Sequence, residues 1–208
     1  MAAVPRLEVR RLECVRGDRL LFRDLDFELD GGELLHVQGA NGCGKTSLLR
    51  ILAGLSQAES GEIHWQGRPL RRQRPAFLRQ TIYLGHHPGI KGELTPLENL
   101  RWIARLHNVR RGFDLAGILA QAGLERHLET PARALSAGQR QRIALARLLL
   151  QEAILWILDE PFTSLDRTGI DWVHRLLDRH LERGGLVVLT SHQPVRTEAP
   201  VRHLRLAG

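Results

Sequence analysis

"GANGCGKTS", residues 39–47, decides how this chain is read. Gly39-Ala40-Asn41-Gly42-Cys43-Gly44-Lys45-Thr46 fills every fixed position of G-x-x-x-x-G-K-[ST]. The chemistry explains the residue types. Glycines let the backbone curl until successive N–H groups point inward at phosphate oxygens. A helix opening at the end of the loop adds its N-terminal partial positive charge. Lys45 reaches the β- and γ-phosphates, and the Thr46 hydroxyl is offered to Mg²⁺. Ser47 continues the same phosphate-binding turn. Cys43 sits at a variable position of the loop, and no redox role is read into it. The flanks supply the context the motif requires. Leu34 to Gln38 is a short apolar strand, and Leu48 to Leu55 has helical spacing.

Working outward, the next informative stretch is Ile154 to Leu158, a continuous apolar run ending in Asp159-Glu160. Such runs suit a parallel sheet covered on both faces. Asp159 at the strand tip can hold Mg²⁺ through water. Glu160, one residue further, can act as general base on an attacking water. Leu186 to Leu189 reads as a second buried strand. Near the start, Leu7-Glu8-Val9 and Leu25 to Leu29 alternate as strands do, and Asp30-Gly31-Gly32 is a turn. Gly61 to Gly67 looks like another strand ending in a turn. From about 88 to 150 the pattern is helical, over Leu97 to Leu106, Leu115 to Gly123 and Ala137 to Leu150. Ile170 to Glu182 is a further helix. Strands alternating with helices make the fold class α/β, with the helical middle inserted between strands.

Composition sets the bounds. The chain has 208 residues, enough for one domain with a substantial core. Its two cysteines, Cys14 and Cys43, stand far apart in unlike contexts, which argues for a reducing cytosol rather than a disulfide scaffold. No run approaches the length of a membrane span, and the first residues lack the apolar core of a secretory signal. The formal charge of +7 raises nucleic acid or an anionic membrane as partners. The arginines are spread along the chain, however, with short knots only at Arg71-Arg72 and Arg110-Arg111. Codon bias accounts for them as well, and no nucleic-acid partner is expected.

Leu135-Ser136-Ala137-Gly138-Gln139 opens the helix that runs toward Leu150, with Ser136 as N-cap. Taken with the two motifs above, it resembles the signature sequence of ATP-binding-cassette (ABC) ATPases, usually Leu-Ser-Gly-Gly-Gln. Ala137 replaces one glycine. Ser164-Leu165-Asp166 looks like the D-loop of that family, and His192 like its switch histidine. The resemblance spans about Leu7 to Leu206. It implies a single nucleotide-binding domain over 1–208. That domain would combine a P-loop core, an N-terminal antiparallel β subdomain and an inserted helical subdomain. It implies Mg-dependent ATP hydrolysis in a head-to-tail homodimer. Lys45, Thr46, Asp159, Glu160 and His192 would act from one subunit. Ser136 and Gly138 would act from the other, and Gln139 and Asp166 also belong to the implied nucleotide site. Integral membrane subunits on separate chains would be driven from the cytoplasmic face of the bacterial inner membrane.

Two positions depart from the family pattern. Where the family keeps an aromatic against adenine, this chain has Arg16, whose guanidinium plane can stack on a ring or simply be solvated. Where it keeps the Q-loop glutamine, this chain has His86, followed by His87. A Mg²⁺ role carried over to His86 rests on one imidazole nitrogen. A metal or haem ligand pair is the alternative, without an evident third donor. Pro88-Gly89 is a turn, and Thr95 with Glu98 forms a capping box for the next helix. Lys91 then lies on a loop that in this family faces the membrane partner, or is merely solvated. Gly85-His86 followed by Pro88-Gly89-Ile90-Lys91 and Leu94-Thr95 is similar to the branch serving cytochrome c maturation. That branch implies haem delivery or release of a haem-loaded chaperone. The rivals are a short exporter of drugs or lipids, a soluble ABC protein acting on ribosomes or DNA, and a non-hydrolytic nucleotide-sensing scaffold.

Overall fold

The computed structural model describes residues 6–107 and 112–206. The second arginine knot, Arg110-Arg111, lies outside the described residues. The chain divides into two compact units, one from the described parts of 1–85, 153–160 and 176–208, the other from those of 86–152 and 161–175.

The first unit holds two sheets. β1 (Arg6–Arg16) and β2 (Arg19–Asp30) form an antiparallel hairpin, extended by β4 (Ser60–Trp65) and β5 (Arg68–Pro69) in the order β2-β1-β4-β5. β1 buries Leu7 and Val9, then Leu12 and Cys14. The switch from odd to even positions marks an irregularity between Val9 and Leu12, where Arg11 takes φ 45°. Its backbone N–H is held by Asp26 Oδ1 at 2.9 Å.

The second sheet is wholly parallel. It comprises β3 (Leu34–Gln38), β6 (Thr81–Leu84), β7 (Leu155–Asp159), β8 (Leu186–Thr190) and β9 (Val201–Arg205), in the order β6-β7-β8-β3-β9. Every residue of β7 and β8 is buried, as the apolar runs leading to Asp159 and Thr190 suggest. α1 (Lys45–Leu52) follows β3 and buries Leu48, Leu49, Ile51 and Leu52. Those side chains join one core with Leu35, Val37, Trp65, Phe77, Ile157 and Val188. Burying each such side chain contributes roughly 1.5–3 kcal/mol, so this core dominates the unit's stability.

The sequence pattern does not announce four elements of this unit: the two-residue β5, α2 (Leu70–Arg79), β6 and β9. α2 is arginine-rich, contains Pro75, loses helical geometry at Gln73 and buries only Leu70 and Phe77. β6 is short, and β9 alternates with Arg and His as edge strands do.

In the second unit, α3 (Pro96–Leu106) starts with the expected capping box. Thr95 Oγ1 accepts from Glu98 N at 3.2 Å, and Glu98 Oε2 accepts from Thr95 N at 2.9 Å. α4 (Leu115–Gln121) is capped by Asp114. α5 (Ala137–Ala146) is shorter than the expected run to Leu150, because Arg147–Leu149 tightens into a 3₁₀ turn. α6 (Arg167–Glu182), belonging to this unit as far as Arg175 and to the first from Leu176, begins three residues earlier than its apolar spacing suggests. The earlier start follows from Asp166, whose Oδ1 accepts from Gly169 N at 2.9 Å as an N-cap.

Candidate nucleotide-binding and catalytic residues

In the first unit, strand order does the positioning. β3, β8 and β7 are consecutive neighbours, and register sets Val37 and Asp159 on either side of Thr190. The loops leaving these three strands therefore emerge together at the carboxyl edge, where open parallel sheets bind ligands.

The loop Gly39 to Gly44 leads into α1. Gly44 stands at the N-cap position with φ 104°, a conformation that favours glycine, and no side chain caps the helix. The first-turn N–H groups of α1 are thus left for an anion. Ala40, Asn41 and Gly42 are exposed, while the Cys43 side chain is buried and contributes to the loop only through its backbone. Ser47 lies half-buried in the first turn of α1. Lys45 Nζ donates to Gly39 O at 2.8 Å and Ala40 O at 3.1 Å, so the ammonium arches back over the loop.

Asp159 is 5% exposed and fully engaged. Its Oδ2 accepts from the Thr46 hydroxyl at 2.8 Å, and its Oδ1 from the Thr190 hydroxyl at 2.7 Å. Thr190 Oγ1 in turn accepts from Glu160 N at 2.9 Å. Burial, and secondarily the Asp159 charge, pushes the Tyr83 phenol above its ordinary pKa. Glu160 itself has φ 53°, a left-handed conformation that non-glycine residues adopt at a cost of about 1–3 kcal/mol. Glu160 Oε2 accepts from His192 N at 3.2 Å. Its Oε1 is buried without a hydrogen-bond partner and lies 3.5 Å from His192 Nε2. A lone pair left free on a carboxylate is what a general base needs.

Thr46 Oγ1 and Asp159 Oδ2 are hard oxygen donors of the kind Mg²⁺ prefers. Among the described residues, no three His, Cys, Asp or Glu side chains gather as a metal cage. The pair therefore fits an ion shared with nucleotide phosphates, which is how Mg²⁺ is commonly bound. Arg16, at the end of β1, is exposed and donates to Val15 O at 3.2 Å and Gln57 O at 3.5 Å.

The second unit carries the other expected residues. Ser136 Oγ accepts from Gln139 N at 3.1 Å, and Gln139 Oε1 accepts from Ser136 N at 2.9 Å. Gln139 Nε2 lies 2.9 Å from His127 Nε2, so its side chain is occupied within the chain. A Cβ on Gly138 would lie 2.4 Å from the Ser164 carbonyl oxygen. Asp166 Oδ1 also accepts from Thr168 Oγ1 at 3.1 Å and pairs with the Arg142 guanidinium. The Gly169 N–H, then Arg142, holds the Asp166 carboxyl below the usual range. His86 is exposed, its ring edge-on to His87 at 5.4 Å, and no third metal donor joins them among the described residues. Lys91 Nζ sits 4.4 Å over the Trp102 ring.

Sequence reasoning missed Thr190, Arg142 and Asn99. Thr190, a hydroxyl closing an apolar strand, carried a faint signal. Arg142 and Asn99 carried none, since each lies within an ordinary helix.

A family profile described as ABC transporter matches residues 22–163. A cytochrome c biogenesis ATP-binding export protein CcmA from Methylococcus capsulatus is 51% identical, covering 94% of this chain and 95% of that protein. The protein of the same name from Dechloromonas aromatica is 50% identical, covering 96% and 99%. Among solved structures, an ATP-binding subunit of an ABC transporter matches with TM-score 0.78 at 28% identity, over 89% of this chain and 79% of that one. A dimeric ATP-binding cassette in a post-hydrolysis state, bound to ADP and Pi, shares the fold with TM-score 0.76 at 24% identity, over 90% and 88%.

Proposed function

The chain belongs to the ABC transporter family, and from that premise we propose that it is the Mg-dependent ATPase subunit of a membrane complex serving cytochrome c biogenesis. ATP binding and hydrolysis follow from the family. The observation that carries the catalytic reading is the division of labour at the end of β7. Both Asp159 oxygens are tied down, while Glu160 keeps Oε1 free beside His192.

Backbone N–H groups of residues 39–47 and Lys45 hold the nucleotide phosphates. Thr46 and Asp159 hold Mg²⁺, which when bound offsets charge developing on the phosphate oxygens. Glu160 takes the proton of the attacking water, and His192 contacts the γ-phosphate. Ser136, Gly138 and Gln139 at the start of α5, with Asp166, act on the nucleotide of a second copy in a head-to-tail dimer. Gln139 does so by orienting Ser136 rather than by direct contact, since its amide is engaged. Arg16 lies at the adenine position, its guanidinium steadied by two backbone carbonyls. His86 serves coupling to the membrane subunits rather than ion binding. Exposed Trp102 and Leu106 on α3, with Lys91 beside Trp102, supply apolar area for those subunits. The complex moves haem or releases a haem-loaded carrier, and this chain works at the cytoplasmic face of the inner membrane.

The test is made in cells. Glu160→Gln replaces the wild-type protein, and covalent haem in c-type cytochromes is quantified with b-type cytochromes as control. Loss of the c-type signal alone supports the reading. Normal c-type cytochromes alongside abolished ATPase activity would leave an ABC ATPase with another exported substrate, such as a drug or lipid.

A further inference from the structure

We propose that His36 is a positioning residue for hydrolysis, gripping with Glu160 the two ends of the Ser191–His192 peptide. The inference rests on the ATPase reading above, in which Glu160 is the general base. His36 stands in the apolar strand β3, 5% exposed, opposite Leu189 in the β3–β8 register. A buried polar ring in such a strand requires partners. Its Nε2 lies 3.1 Å from Ser191 O, and its Nδ1 lies 3.3 Å from Gln38 Nε2.

Those two contacts fix the tautomer. A carbonyl only accepts, so Nε2 bears the proton and donates to Ser191 O. The Gln38 amide donates, so Nδ1 is the acceptor. Burial, with His203 beside it on β9, holds the ring below the ordinary histidine pKa, and it is neutral at pH 7. The ring works as a one-directional link from Gln38 through β3 to the loop after β8.

A trans peptide points its C=O and N–H to opposite sides. The Ser191 carbonyl goes to His36, and the His192 N–H goes to Glu160 Oε2 at 3.2 Å. Rotating that peptide plane breaks one bond or the other. Ser191 Oγ closes the loop beyond, accepting from Gln193 N at 2.9 Å and donating to Gln193 O at 2.8 Å. The clamp thereby holds the His192 N–H where it bonds one oxygen of the Glu160 carboxylate. An apolar residue at position 36 would fill the strand and release the peptide.

His36 does not touch the phosphate loop's N–H groups, so its loss acts on turnover and spares nucleotide affinity. The experiment compares purified wild type, His36→Leu and His36→Gln in steady-state ATPase assays. Wild-type histidine tautomers are read by ring ¹⁵N–¹H NMR, with His36→Gln used for assignment. Expected are a roughly tenfold loss of kcat in His36→Leu with KM for ATP within about twofold, and recovery to within about threefold in His36→Gln, whose amide nitrogen reaches where Nε2 was. The His36 resonance should show the Nε2–H neutral form. Unchanged kcat in His36→Leu, a His36→Gln as slow as His36→Leu, or an Nδ1–H ring overturns the clamp. If His36→Leu does not fold, the tautomer and the His36→Gln rate decide. A wild type without ATPase activity defeats the ATPase reading instead, and the tautomer alone then decides whether the His36–Ser191 link exists.

Discussion

Gly138 and the carbonyl of Ser164 meet so closely that a Cβ on the glycine would lie 2.4 Å from that oxygen. The neighbour is backbone, which cannot swing aside as a flexible side chain would. Gly138 therefore shapes the loop carrying Asp166.

The first prediction follows. Gly138→Ala displaces the Ser164–Asp166 loop, at a cost of about 1–3 kcal/mol, and lowers ATPase activity sharply. Ala137→Gly, at an exposed position beside it, changes stability by less than about 1 kcal/mol and restores the family's usual sequence. Thermal melts and ATPase rates of both variants check this. Equal losses in the two would remove the packing argument.

A second concerns Thr46 and Asp159. Thr46→Val removes the hydroxyl that satisfies buried Asp159 Oδ2, costing about 1–3 kcal/mol in nucleotide-free protein. It also raises the Mg²⁺ concentration needed for half-maximal ATPase activity, whereas Thr46→Ser preserves it. Mg²⁺ titrations of the three proteins test the assignment, and coincident curves would refute it.

A third is a pH dependence. His180 stacks on Trp156 at 3.8 Å with rings 9° apart, and its Nε2 lies 3.1 Å from Ile154 O. Burial lowers its pKa to about 4. The unfolded chain takes up this proton near pH 6.5 while the folded chain resists it, so the unfolded state binds more protons between those values. The stabilisation is complete above about pH 6.5 and is lost as pH falls toward 4. It amounts to about 3 kcal/mol. His180→Phe keeps the stack and flattens this part of the stability curve. Denaturant melts from pH 4 to 7 measure it, and an unchanged slope would count against His180 as the source.

A fourth concerns Asn99, which is 2% exposed. Its Oδ1 accepts from Lys91 N at 2.9 Å, and its Nδ2 donates toward Lys91 O, Leu94 O and Thr95 O at 3.0–3.1 Å. Asn99→Leu strands those backbone groups and costs about 2–4 kcal/mol. Proteolysis at residues 91–95 should accelerate while the capping box of α3 persists. Unaltered proteolysis would show that the loop holds without this hub.

Much of this was legible because motif and periodicity agree. The loop at 39–47, the strand ending in Asp159-Glu160 and the capped start of α5 each announce themselves by local chemistry. β1 read only as far as Val9, because the irregularity at Arg11 reverses its alternation. α2 escaped because Pro75 and its arginines mask two buried side chains. His36 and Thr190 carry no motif, and their importance comes from neighbours far away in sequence. The Gln139 amide is a different case. Its motif points to nucleotide, yet its bonds run to Ser136 and His127.

The parallel sheet also has a history in time. β3 is translated before both its hydrogen-bonded neighbours, β8 and β9, which come near the end of the described chain. Until they leave the ribosome, Leu34, Leu35 and Val37 present two bare strand edges, the kind that recruit other chains. The loop at 39–47 is thus synthesised well before the strands that complete the sheet it leaves. For a nascent chain, that interval is the one in which a half-built sheet is open to pairing with the wrong strand.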